Sequence, residues 1–250
     1  NRSFNIDRAN NCIVQTMASI KDMPKSAPEA LYELGKSDIK NRAALYQALM
    51  DDPRINKKAI QILFHLGYFN KFAQPNRLIT EYEIYQKYIS VKVLTKSSFD
   101  DIMIDVIRPC CGKETEKQFR EIDNKALITA LIKQANIKPT TIVDRIKWQL
   151  EYLGYCTVSD PKSDPNDWLI LDVKTTGYGT VYCTLYNLCY GAERTYRANK
   201  KFWTNHQLSK GDVARVVLQE KNKMKKDENG EWVTLSETYQ EMKVWKKLEV

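Results

Sequence analysis

The hydrophobic pattern of the chain changes near residue 158, and this change constrains the fold more than any other feature of the sequence. Upstream of it, apolar residues recur every three or four positions, which is the spacing of a buried helix face. Downstream, apolar and polar residues alternate, which is the spacing of a strand with one buried face. The sequence therefore predicts an α+β protein in which an N-terminal all-helical region precedes a C-terminal all-β domain.

Seven helices are predicted upstream of the change, and the clearest apolar stripes are those of the second, third and sixth. Residues that stop helices follow three of the seven helices: Gly67, Pro109 and Gly154. The predicted helices cover residues 28–34, 38–50, 56–66, 76–88, 97–107, 123–134 and 141–153.

Short alternating segments with glycine turns between them follow downstream, and a polar link of helical character comes after the third segment. About five strands with such a link indicate an OB-type barrel, and a small SH3-like barrel is the alternative. The predicted strands are 168–175, 180–188, 194–198, 213–219 and 242–248, with 232–235 as a further candidate across a charged hairpin loop at 221–230.

Residues 20–31 could form a helix-hairpin-helix, a motif whose backbone N–H groups approach a phosphate. Its usual glycines are missing here, and Pro24 removes one donor, so we expect the hairpin with a weakened phosphate contact beside Lys21 and Lys25. The expected organisation is a helix-hairpin-helix-like helical domain over residues 1–75, a helical connector over 76–157, and an OB-fold-like domain over 158–250.

The basic residues are unevenly placed. The chain carries 39 Lys and Arg residues against 31 Asp and Glu residues, a formal net charge of +8. Between residues 199 and 226, eight basic residues stand against two acidic ones, a difference of six charges. Clustered bases on one element are typical of a protein with a polyanionic partner. The alternative is a solvated loop that keeps the protein in solution.

The sequence carries no catalytic motif: it has no glycine-rich phosphate loop, no GxSxG and no HExxH. The carboxylates of Asp100, Asp101 and Asp105 read as the solvated side of an amphipathic helix. The six cysteines form no CxxC pair, so we expect no metal and no other cofactor.

No apolar run approaches the roughly 18 residues of a membrane span. Cysteine usage favours a reducing, cytoplasmic location.

Aromatic and basic residues occur together in the predicted barrel. Aromatic faces stack on unpaired bases, at about 1–3 kcal/mol each, while Lys and Arg contact phosphates. Alternation predicts that Tyr182 and Tyr186 face outward, while Val181, Cys183 and Leu185 face inward. The alternative is that these aromatics only pack the sheet and that Trp203 plugs the barrel end. The predicted nucleic-acid-binding residues here are Tyr178, Tyr182, Tyr186, Arg194, Tyr196, Arg197, Lys200, Lys201, Trp203, Lys223, Lys225 and Lys226.

Several segments, in their order along the chain, resemble the C-terminal region of bacterial DNA polymerase III alpha subunits, the family C polymerases, in their DnaE-like, Firmicutes-type form. Residues 56–72 are similar to a helix followed by a glycine-containing loop in that family, and residues 208–212 are similar to a turn of its OB domain. The remaining similar segments are 18–21, 114–119, 149–155, 184–186 and 229–232.

The resemblance implies a non-catalytic, DNA-binding part of a replicative polymerase. In the family, the nucleotidyltransferase carboxylates lie upstream in a palm domain that this chain does not match, so we expect it to be inactive alone. The implied partners are primer–template duplex for the helices, single-stranded template for the barrel, the sliding clamp and other replisome subunits. Residues 61–64 superficially resemble a clamp-binding peptide, but Leu63 and Phe64 lie on the apolar stripe and are interpreted as core. The alternative function is a protein-interaction module for another replisome subunit.

Overall fold

The computed structural model describes residues 5–7, 12–14, 16–198, 203 and 208–248, and it confirms a mixed α+β chain. The chain separates into two compact units. We call the first, residues 1–140 with 148–154, the helical unit, and the second, residues 141–147 with 155–250, the barrel unit.

Several of the described helices begin where a polar side chain caps them. The side chains of Asn41, Asn56, Asp100 and Asp123 each accept a hydrogen bond from a backbone N–H in the first turn of the following helix. Such caps satisfy N–H groups that would otherwise lack an acceptor. The helices are α1 Ala27–Lys36, α2 Arg42–Asp51, α3 Lys57–His65, α4 Pro75–Tyr88, α5 Asp101–Ile107, α6 Asn124–Gln134 and α7 Ile142–Leu153.

The core of the helical unit is apolar and aromatic. Tyr46, Phe64 and Tyr82 are buried and contact one another edge to face, with ring centroids 5.7–6.5 Å apart. Such T-shaped pairs add to the free energy gained by burying the rings. Ile62 and Leu63 are also buried, at 1% and 0% exposure. The interpretation of Leu63 and Phe64 as core residues is therefore confirmed.

The prediction that the chain upstream of residue 158 is all-helical is wrong. Three short antiparallel strands, β3 Val93–Thr95, β4 Cys111–Glu114 and β5 Gln118–Ile122, form a sheet in the order β3-β5-β4. Their pairing places Phe119 opposite Leu94, and both side chains are buried. Strands this short carry too few residues to show an alternating pattern, so only the tertiary contact reveals them. Two further strands, β1 Asn5–Asp7 and β2 Cys12–Val14, pair with each other.

The expected hairpin motif lacks its first α-helix in the described part of the chain. A single 3-10 turn, Met17–Ser19, and then an irregular turn precede α1. Ser19 donates its hydroxyl to the carbonyl of Thr16 at 2.7 Å, a local bond that competes with helix formation. Lys21 donates its backbone N–H to the carbonyl of Tyr152 at 2.9 Å, within the helical unit.

The barrel unit contains five strands: β6 Asp167–Thr175, β7 Val181–Asn187, β8 Glu193–Ala198, β9 Val213–Lys226 and β10 Trp232–Leu248. They close on themselves in the order β10-β8-β7-β6-β9, since β9 and β10 also pair. All pairs are antiparallel except β8 with β10, which is parallel. The interior is filled by inward-facing residues that include Ile170, Cys183, Leu185, Val216 and Met242.

The prediction of a charged loop at residues 221–230 is wrong, because most of this segment is β-strand. β9 continues to Lys226 and β10 begins at Trp232, which leaves a turn of five residues. Asp227 closes that turn by accepting the N–H groups of Asn229 and Glu231 at 2.9 Å each. Gly230 has a positive φ of 84°, which favours glycine. The lysines of this segment suggested a loop, but cross-strand pairing outweighs their low strand propensity.

The burial of Phe64 gives a test of the core. We expect Phe64→Ala to lower the free energy of unfolding by about 3–5 kcal/mol, because the substitution leaves a cavity among packed rings. Tyr32→Ala, which truncates a ring that is 62% exposed, should cost less than about 1 kcal/mol. Urea denaturation of both variants measures this difference. Equal losses in the two variants would contradict the described core.

Candidate nucleic-acid interface

A row of polar and aromatic side chains crosses the outer face of the barrel. Lys174 of β6 lies opposite Tyr182 of β7, and Tyr182 lies opposite Arg197 of β8. Directly paired residues on neighbouring strands point to the same side of a sheet. This side is the outer one, because the neighbouring positions Val181 and Cys183 are buried in the barrel. Tyr182, at 41% exposure, is thus flanked across the strands by two cations.

The next row on the same face consists of two uncharged polar residues, on β7 and β8, and one acidic residue on β6. Thr184 lies opposite Thr195, and their hydroxyl oxygens are 3.0 Å apart. Asp172 completes this row on β6 and lies 3.3 Å from the ammonium of Lys174. The Lys174 side chain is 80% exposed and that of Asp172 is 46% exposed, so this ion pair contributes little to stability.

The extended part of the β9–β10 hairpin supplies a second wall. Beyond Val216 and before Glu241, these two strands pair only with each other within the described residues. We call residues 220–226 and 232–240 the ribbon. A groove of about 1190 Å³ lies between the ribbon and the outer face of β7 and β8. Its lining residues are Tyr182, Thr195, Tyr196, Arg197, Glu220, Lys221, Asn222, Lys223, Met224, Trp232, Thr238, Tyr239 and Gln240.

The charge of the groove is positive. Three cations, Arg197, Lys221 and Lys223, line it against one carboxylate, Glu220. Glu220 accepts a hydrogen bond from the hydroxyl of Thr238 at 2.6 Å. Basic groups concentrated in a concave surface attract polyanions more strongly than the same groups spread over a convex one.

Two of these cations already have carboxylate neighbours on β10. Lys221 pairs with Glu241, which is buried, so this pair is held in place. Lys223 lies 2.6 Å from Glu237, and its hydrogen bond lowers the pKa of that carboxyl. Both side chains of the second pair are at least half exposed, and exposed pairs contribute little to stability. Lys223 can therefore turn toward a phosphate at small cost.

Aromatic rings in the groove carry cations over their faces. The guanidinium of Arg197 lies 5.6 Å from the centre of the Tyr239 ring, and the ammonium of Lys226 lies 5.6 Å from the Trp232 ring. Trp232 is 62% exposed, although burial of an indole is favourable. With Tyr182 on the opposite wall, the groove thus offers accessible rings beside cations, the combination that single-stranded nucleic acids require.

The prediction that Tyr186 is accessible on the outer face of the barrel is wrong. Its ring is 2% exposed, and its hydroxyl donates to the backbone carbonyl of Val158 at 2.7 Å. Burial raises the pKa of this phenol, and the neighbouring Cys156 raises it further. Alternation placed Tyr186 outward, but the segment around Val158 covers that end of β7. The ring is a structural residue that no base can reach.

Tyr196 and Trp203 are half-buried and contact the interior of the barrel. Tyr196 pairs with Cys183 on the inward face, and its ring meets Trp168 edge to face at 5.6 Å. Only part of Tyr196 lines the groove. Trp203 packs against the barrel core, which agrees with the alternative that it plugs the barrel.

The other predicted residues lie in several places. Tyr178 is 99% exposed in the turn between β6 and β7, and Arg194 is on the strand face opposite Arg197. Lys225 and Lys226 are exposed at the end of the ribbon, while Lys200 and Lys201 fall outside the described residues. Lys21 and Lys25 are exposed residues of the helical unit. Of the predicted set, the structure brings Tyr182, Tyr196, Arg197 and Lys223 together at the groove.

Sequence reasoning missed nine of the thirteen groove residues, among them Lys221, Met224, Trp232 and Tyr239. Met224, Trp232 and Tyr239 share one signal, an apolar or aromatic side chain in a highly charged segment, which a loop does not need. They could have been found had residues 221–240 been read as two long strands.

Within the described residues, no group of His, Cys, Asp and Glu side chains is arranged to hold a metal ion. The helices described are also too short or too polar to cross a bilayer. Comparisons with models of protein families, with curated proteins and with solved structures find no match to this chain.

The contrast between Tyr186 and Tyr182 is testable by removing one hydroxyl from each. Tyr186→Phe should lower the free energy of unfolding by about 1 kcal/mol, because the carbonyl of Val158 loses its donor in a buried place. Tyr182→Phe should change it by less than about 0.5 kcal/mol, as at other exposed positions. Thermal or urea unfolding reports both values. A larger loss for Tyr182→Phe would contradict the assigned burial.

Proposed function

We propose that the barrel unit is an OB-fold domain and that its groove binds single-stranded nucleic acid. The first three strands form an antiparallel meander, the fifth pairs in parallel with the third, and the fourth pairs with the first. This crossing order supports a Greek-key barrel of the OB type. The SH3-like alternative is disfavoured, because the strands of such a barrel follow one another as a simple meander. A simple meander contains no parallel pair of strands.

The position of the groove supports binding. OB-folds bind oligonucleotides on the face of their second and third strands and on the loops beside it. The second and third strands here are β7 and β8, and the ribbon joins the fourth strand to the fifth. The observation that carries the proposal is the row of Tyr182 and Arg197 facing a ribbon wall with Trp232, Tyr239 and Lys223.

The chemistry of the groove favours unpaired bases over duplex. Rings such as Tyr182 and Trp232 gain free energy from a nucleic acid only when a base face is free to stack on them. In a duplex, those faces are covered by neighbouring base pairs. The cations beside the rings then contact the phosphates between successive stacked bases, without selecting a sequence.

The resemblance to the polymerase family extends this proposal to the whole chain. We propose that the chain is the non-catalytic, DNA-binding C-terminal part of a DNA polymerase III alpha subunit. In it the barrel holds single-stranded template and the helices hold primer–template duplex. The sliding clamp and other replisome subunits are its proposed protein partners. The support is the order of similar segments along the sequence together with the OB-type strand order of the barrel unit.

A protein-interaction module is the second candidate function. Met224, Trp232 and Val233 of the ribbon are 57%, 62% and 45% exposed, and no other strand in the described part of the chain pairs with the edges of the ribbon. Exposed apolar groups on an open edge favour addition of a partner strand. Retention of a protein partner after nuclease treatment, without affinity for oligonucleotides, would favour this candidate.

Two arginines of β8 give a charge-matched test. Arg197→Gln should weaken binding of a single-stranded oligonucleotide by about 5- to 10-fold, because it removes a charged contact inside the groove. Arg194→Gln removes the same charge from the opposite strand face and should weaken binding by less than about 2-fold. Fluorescence anisotropy measures both affinities. Equal losses would show that only net charge matters and would reject the groove.

Stacking and phosphate contacts are separable in the same assay. Tyr182→Ala should weaken binding by about 5-fold or more, whereas Tyr190→Ala, an exposed ring outside the groove, should leave it unchanged. With three lining cations, the logarithm of the binding constant should fall with the logarithm of salt concentration with a slope of about −2. Absence of binding at low salt would overturn the proposed function.

A further inference from the structure

The helical unit contains a separate cavity of about 690 Å³. Residues of α2, α4 and α6 line it together with the segment between α3 and α4. This volume lies within the usual range of small-molecule sites, about 300–1000 Å³. Its lining differs from that of a simple packing defect, because it includes charged residues as well as apolar ones.

A buried carboxylate is one of the groups that line this cavity. Glu81 is 1% exposed and accepts hydrogen bonds from Arg42 Nε at 2.6 Å, Arg77 Nε at 2.7 Å and the Tyr46 hydroxyl at 3.0 Å. Burial and the charge of Glu81 raise the pKa of Tyr46, so this phenol stays a donor. Two guanidinium groups compensate the buried charge, as such a charge requires.

This network fixes the orientation of Arg42. The Nε edge of its guanidinium is held by Glu81, and Nη1 reaches the carbonyl of Phe72 only at 3.5 Å. Arg42 lines the cavity and is 39% exposed, so the Nη edge remains available to a ligand. A planar pair of donors in a fixed position is suited to bind phosphate or carboxylate oxygens bidentately.

The cavity has an excess of positive charge. Lys40, Lys71 and Lys125 line it with Arg42, against Glu81 alone, so four cations minus one anion leave a net charge of +3. The only carboxylate near these lysines among the described ion pairs is Asp38, which lies 3.6 Å from Lys40 in a largely exposed pair. A doubly charged anion would relieve the repulsion between these cations.

An apolar wall lies beside the charged groups, and the ammonium of Lys71 lies 4.8 Å from the centre of the Phe72 ring. Phe72, Ile89 and Ile132 line the cavity and are each only partly buried, so some of their carbon surface is exposed to it. A ligand that carries only charge, such as a free inorganic anion, would leave this surface in contact with water. A phosphorylated ligand with a flat or apolar body would cover it.

We propose that this cavity binds a nucleotide through its phosphate monoester. The phosphate is held by Arg42 with Lys71 and Lys125, and the nucleoside lies against the apolar wall. The shared chemistry is a terminal phosphate on a nucleoside, whether the source is a free nucleotide or the phosphorylated end of a strand. The site uses none of the groove residues and does not depend on the function proposed for the barrel.

Isothermal titration calorimetry of the full chain with deoxyadenosine 5′-monophosphate tests the proposal. This nucleotide should bind more tightly than inorganic phosphate, and deoxyadenosine without the phosphate should not bind measurably. Lys125→Gln should weaken nucleotide binding by about 5- to 10-fold, because it removes one charged contact. Lys133→Gln, at an exposed lysine in the last turn of the same helix, should leave it unchanged.

Two further variants keep the test decisive. Arg42→Gln should abolish binding, but it also leaves Glu81 short of a partner, so its thermal unfolding must be compared with that of Lys125→Gln. Arg197→Gln in the barrel unit should not alter nucleotide binding. A 5′-phosphorylated dinucleotide that binds as well as the mononucleotide would identify a strand end as the ligand source. No binding, or equal loss in Lys125→Gln and Lys133→Gln, would overturn the proposal.

Discussion

The antiparallel pairing of β9 with β10 is the interaction on which the barrel and its groove both depend. The register runs from the Val213–Leu248 pair to the Lys226–Trp232 pair at the turn. In the half of the hairpin that lies away from the turn, β9 also pairs with β6 and β10 also pairs with β8, and these pairings close the barrel. The half of the hairpin next to the turn is the ribbon, which forms one wall of the groove. Interruptions of the register near Thr234 and Val244 mark bulges, which increase twist and bend a strand.

Local signals predicted much of the fold. Asn56 and Asp123 cap helices that begin at the next residue, and the stripe of Leu63 and Phe64 is buried as its spacing indicates. Three barrel strands, β6, β7 and β8, were predicted to within one residue at each end. These elements share one property: the pattern that defines them is contained in a single continuous segment, where side-chain period or a capping residue is sufficient.

Features that depend on distant partners were not predictable. Phe119 belongs to a strand because it pairs with Leu94, and Tyr186 is buried because Val158 covers it. The ribbon was hidden because lysines favour a loop, although its strands gain their stability from each other. For the same reason, sequence reasoning found Tyr182 and Arg197 but not Trp232, whose place in the groove follows only from the cross-strand register.

Ultraviolet cross-linking of a thymine-rich single-stranded oligonucleotide, followed by mass spectrometry of the linked peptides, tests the central claim most directly. If bases stack in the groove, the cross-links should fall on Tyr182, Trp232 and Tyr239, which line it. Tyr155 and Tyr190 are exposed aromatic residues of the same unit outside the groove and serve as internal controls. Cross-links confined to those two residues, with none in the groove, would contradict the claim.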